Sequence, residues 1–139
     1  MRDAIVFFYI AFLVTCCGTV RSQNHVQMND DFNYYFAVLD SVLEGTKSKN
    51  QLTIDQSAFL YLINGWVESS ATFDHYKGVS IESKNVLEWK LWYQRASTKI
   101  DPHEFYKAME IYEEFFLQGT VDDDKLNYIN GLEKKYRDI

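Results

Sequence analysis

Three histidines, His25, His75 and His103, are the only imidazoles in the 139-residue chain, and Cys16 and Cys17 are its only thiols. A helix-borne di-iron centre needs Glu-x-x-His and a zinc peptidase needs His-Glu-x-x-His, because those spacings put the ligands on one helix face. Neither motif occurs. A calcium loop starting at Asp122 would place Asp124 at its third position and Glu133 at its twelfth. It fails at the centre, where Leu126 and Asn127 stand in place of an oxygen ligand and the turn glycine. Asp122 to Asp124 therefore read as acids at a helix start, where they complement its positive end. The sequence also holds no nucleophile elbow, phosphate-cradling glycine loop or dinucleotide fingerprint.

Glu110, Glu113 and Glu114 have the look of paired acid and base carboxylates. On a helical wheel, however, Glu110 and Glu114 fall beside Lys107 and His103, opposite an aromatic stripe, which is the pattern of a solvated face. Asp74-His75-Tyr76 is the one cluster suited to proton transfer, and a single histidine in a loop reads as surface. No catalytic residue, no cofactor and no metal is expected, and the chain is expected to be non-enzymatic.

The enriched chemistry is aromatic: 3 Trp, 10 Tyr and 10 Phe. Such side chains pack a rigid core, and where exposed they anchor partners. Phe73, His75 and Tyr76 are the first candidates for partner binding, since two large aromatics within four loop residues are costly to expose unless something covers them. Tyr34 and Tyr106 come next because each lies off its helix's apolar stripe. Ala58, Tyr61 and Gly65 form a second candidate surface, a small and nearly uncharged helix face. The competing expectation there is a neighbouring helix of the same domain.

Five amphipathic segments must position these residues. The first spans about Asp30 to Glu44, with Phe32, Phe36, Leu39 and Leu43 at helical spacing and Gly45 as its stop. The second opens on Thr53-Ile54-Asp55-Gln56, a capping box, and carries Phe59, Leu60, Leu62, Ile63, Trp66 and Val67. Residues Ala71 to Ser80 read as a loop. The third, Ile81 to Ser97, has one stripe through Val86, Trp89 and Tyr93 and a second through Leu87 and Leu91. Two stripes predict a central helix with two neighbours, or one neighbour and a partner. The fourth starts at Asp101-Pro102-His103-Glu104, with an acid cap, proline at the first helical position and Glu at the third. It buries Phe105, Met109, Tyr112 and Phe116 and stops at Gly119. The fifth, Asp122 to Arg137, offers Leu126, Ile129, Leu132 and Tyr136. With no run of period-two alternation, no strand is predicted. The expected fold is all-α: a single compact bundle of about five helices, monomeric, with short antiparallel connections.

Ahead of the bundle, Ala4 to Val20 contains no charged residue, Arg2 precedes it, and Val20-Arg21-Ser22 offers a small residue at a cut. That is the layout of a secretory signal over residues 1–22, leaving a domain of residues 23–139. A retained membrane anchor is the rival, because this run sits at the short limit of a spanning helix. Cleavage removes both cysteines, and with them disulfide scaffolds, zinc-thiolate sites and thiol nucleophiles. The whole chain has a formal net charge of −6. Such acidity disfavours nucleic acid and anionic membrane surfaces, both of which recruit clustered Lys and Arg.

The apolar leader from Ala4 to Val14, the cut after Ser22 and the cysteine-free helical remainder resemble the small secreted effector proteins that plant-feeding insects such as aphids, and other parasites, deliver in saliva. The resemblance lies in layout and assigns no residue. It implies a secreted protein that acts by binding a host protein, including inside a reducing host cell, where a fold without cystines is an advantage. An extracellular carrier of a small apolar ligand is the alternative, because an aromatic-lined bundle can enclose a pocket.

Overall fold

Met28, Phe32, Phe36 and Leu39 are all buried along one face of the first helix, and their regular spacing seats that helix on the rest of the chain. The computed structural model describes the backbone of residues 2–67, 73–74, 78–79 and 81–139 and the side chains of residues 23–67 and 81–139. Within it, five α-helices follow one another: α1 Arg2–Leu43, α2 Ile54–Trp66, α3 Ser83–Ala96, α4 Pro102–Gln118 and α5 Asp123–Arg137. A single 3-10 turn, Lys49–Gln51, precedes α2. The architecture is an all-α bundle, as the periodicity predicts. The residues read as a leader, 1–22, lie outside those whose side chains are described.

Three elements differ from the sequence reading. Helix α1 does not begin near Asp30; the stretch from Gln23 is already helical and includes His25. No glycine or proline interrupts that stretch, and Met28 adds one more turn to the buried stripe one turn before Phe32. Second, the loop after α2 contains a small antiparallel hairpin, β1 Phe73–Asp74 with β2 Gly78–Val79, paired Phe73 to Val79 and Asp74 to Gly78. Strands of two residues are too short to show alternation, so periodicity could not reveal them. Third, the central helix is α2 and not α3. Helix α2 packs on α1, α4, α5 and β2, which accounts for its lack of a charged face. Helix α3 packs on α1, and its second stripe faces solvent, with Leu87 58% and Leu91 45% exposed.

The helix ends follow local chemistry. At α2, Gln56 Oε1 accepts from the Thr53 N–H at 3.2 Å, the reach-back of a capping box. At α4, Asp101 Oδ1 accepts from the His103 N–H at 2.9 Å with Pro102 behind it, and Gly119 closes the helix at φ 78°. Asp122 Oδ1 accepts from the Lys125 N–H at 2.9 Å at the start of α5, which is the capping role that replaces calcium binding there.

Aromatic packing joins the helices. Phe32 stacks on Tyr93 with centroids 3.9 Å apart and meets Phe59 edge-on at 5.2 Å, so one α1 side chain holds α3 and α2 together. Trp66 lies 4.4 Å from the Tyr136 ring, and the Trp92 indole donates to the Tyr136 carbonyl at 3.2 Å, which ties α5 to α2 and α3. Burying one such ring is worth about 3–5 kcal/mol against alanine. Exposed ion pairs such as Lys90 with Asp40, at 2.7 Å, contribute about 0–1 kcal/mol. The core, not the surface charge, therefore holds the bundle.

Candidate functional site

Glycine at position 65 determines how closely α5 approaches α2. A Cβ built there would stand 2.9 Å from Glu133 Cδ and nearer still to Oε1, so any other residue would push the carboxyl away. In the gap, Glu133 Oε1 accepts from the Tyr112 hydroxyl at 3.1 Å, and the Arg137 guanidinium donates to the Gly65 carbonyl at 3.1 Å. Arg137 also stands 3.8 Å from Glu133 Oε2. A basic side chain on a last-turn carbonyl is a favourable C-terminal cap for α2. Burial, followed by the charge and hydrogen bond of Glu133, holds the Tyr112 phenol well above the usual tyrosine range.

Beside this polar knot, residues of α2, α4 and α5 line a groove of about 390 Å³. Ile111 and Ile129 form a buried floor, and Phe115 and Leu126 form a rim that is 39% and 48% exposed. The carboxamides of Asn64 and Asn130 line the groove, as do Glu133 and Arg137. A cleft of this size with an apolar floor and polar side chains in its lining has the form of a small-molecule site. Its chemistry is binding: burial of apolar surface, with hydrogen bonds to orient what is buried.

The candidate residues from the sequence fall in different places. Tyr61 and Gly65 line the groove. Ala58, one turn earlier on the same helix, is fully buried in the core, so no partner can touch it, and the neighbouring-helix expectation holds for that residue. Phe73 belongs to strand β1 through its backbone, while its side chain and the whole of His75 and Tyr76 lie outside the described residues. Tyr34 and Tyr106 are exposed as expected, yet both phenols are engaged: Tyr34 accepts from Gln56 Nε2 at 2.8 Å, and Tyr106 donates to Asp31 at 2.7 Å.

Sequence reasoning missed the α5 side of the groove, Asn130, Glu133 and Arg137. Asn130-Gly131 registers only as a weak spot in the helix, and nothing in the spacing says that Glu133 faces Gly65. The available signal was the small, uncharged α2 face, which announces a close neighbour without naming it. Of the acidic trio on α4, Glu114 takes an ion pair with Lys125 at 2.6 Å. Glu113 is half-buried, and burial together with the charges of Asp55 and Glu110 raises its carboxyl above the ordinary value. Among the described residues there is no group of three or more His, Cys, Asp or Glu placed to hold a metal ion, and no helix long and apolar enough to cross a membrane. No family model, no curated protein and no solved structure matches the chain.

Proposed function

We propose that this chain is a secreted, non-enzymatic interaction protein that acts by capturing a partner protein, in the manner of an effector delivered to a host, including into a host cell. The observation that carries the reading is the groove between α2, α4 and α5: an apolar floor, exposed Phe115 and Leu126 at the rim, and hydrogen-bonding side chains in the lining. Exposed aromatic and aliphatic side chains around a preformed cleft supply the anchor pocket that hot-spot binding needs. The hairpin carrying Phe73, which contacts α2 through β2, is a second element available to the same partner.

The test is affinity capture from host extract with three versions of the secreted protein: the natural chain, Leu126→Trp to plug the groove, and Phe73→Ala with Tyr76→Ala. A host protein retained by the natural chain and lost with Leu126→Trp supports the groove. Retention by all three versions would contradict the reading at both sites.

The volume of the groove favours a second function, an extracellular carrier of a small apolar ligand, because about 390 Å³ lies within the range of small-molecule sites. Native mass spectrometry of the secreted protein separates the two: a copurifying small mass means a carrier.

A further inference from the structure

The polar end of the α2/α4/α5 groove is charged but internally compensated. Glu133 is 3.8 Å from Arg137, accepts from Tyr112 and leaves no net charge for an incoming group to neutralise. Two helices also end there. Gly65 lies in the last turn of α2 and Arg137 in the last turn of α5, so both contribute the negative end of a helix dipole. An anionic head group entering the groove would meet Glu133 and two negative helix ends. A cationic one would be favoured by the helix ends but would meet Arg137, which already caps α2 through the Gly65 carbonyl and stands beside Glu133. Either would lose water without gaining an uncommitted counter-ion, which is the costly case for burying charge. A neutral group meets no such penalty. The carboxamides of Asn64 and Asn130 offer donor and acceptor together, which suits a hydroxyl or carbonyl.

We infer that the groove takes a neutral amphiphile, a small molecule with an apolar body on Ile111, Ile129 and Leu126 and a single hydroxyl or carbonyl directed to the Glu133 end. This rests on the carrier reading and narrows it. The lining argues the same way, since the floor is aliphatic while the charged pair stands where Gly65 meets α5.

The experiment uses the secreted protein with N-phenylnaphthylamine, an uncharged dye that fluoresces in apolar surroundings, displaced by decanol, decanoate or decylammonium. Decanol is expected to displace the dye at least about tenfold better than either charged analogue, a difference of about 1.4 kcal/mol. Leu126→Trp, at a rim position outside the core, is expected to abolish dye binding with an unchanged helical circular dichroism spectrum. Glu133→Gln is expected to raise decanoate affinity relative to decanol about tenfold, because Arg137 is then free to pair with an anion. Equal displacement by all three analogues, or no change in their ranking with Glu133→Gln, would overturn the neutral class while leaving a carrier. No saturable dye binding to the natural chain, or equal binding to Leu126→Trp, would remove the carrier reading as well.

Discussion

Gly65 and Glu133 face each other across the α2–α5 contact so closely that the glycine's missing Cβ is occupied by the glutamate's carboxyl. A Gly65→Ala substitution therefore opposes two effects. Alanine gains up to about 1 kcal/mol of helix propensity, and the displaced atom is the far end of a flexible side chain. Folding stability is expected to change by less than about 1 kcal/mol. The Tyr112 to Glu133 hydrogen bond, however, is broken, so ligand or partner affinity falls. Thermal melting beside dye titration checks this; a large loss of stability would mean that Glu133 cannot move.

Asp101→Ala removes the acceptor of the His103 N–H and exposes the first turn of α4. The expected cost is about 0.5–2 kcal/mol, with binding at the groove unaltered. Urea denaturation reads the difference as a lower midpoint at unchanged slope.

Alkaline pH is expected to weaken the bundle. Burial pushes the Tyr93 phenol up to about 12, and burial with the hydrogen bond to Glu104 pushes Tyr136 up to about 12, against about 10 in an unfolded chain. Between those values the unfolded state releases protons that the folded state retains, so stability falls as pH rises. The contribution is present in full below about pH 10 and is lost as the pH passes about 12. Tyr136→Phe removes one of these phenols and also the oxygen that accepts from the Asp101 N–H at 3.1 Å. It is expected to cost about 1–2 kcal/mol near neutrality and to flatten the alkaline slope, both readable from melting temperature against pH.

Leu87 and Leu91 provide the contrast between exposure and burial. Replacing both with Ser is expected to leave stability within about 0.5 kcal/mol for each site, since both stand in solvent on α3. Phe32→Ala is expected to cost about 3–5 kcal/mol, because Phe32 contacts Tyr93, Phe59 and Phe105 at once. Equal effects from the two changes would contradict the placement of α3.

The helices and most of their ends can be read from the chain alone. Their signals are local: the 3.6-residue stripe through Phe105, Met109 and Tyr112, the Asp101-Pro102 start and the Gly119 stop each act within a turn or two of chain. Local rules also showed that α2 has no charged face. They did not show what covers it, because the contact between Gly65 and Glu133 joins residues 68 positions apart and depends on how α4 and α5 are placed around α2. The same holds for the two stripes of α3, of which only packing decides that Val86, Trp89 and Tyr93 go inward while Leu87 and Leu91 remain in water. The groove belongs entirely to tertiary structure, since it is the space left between three helices and no segment of chain encodes a space.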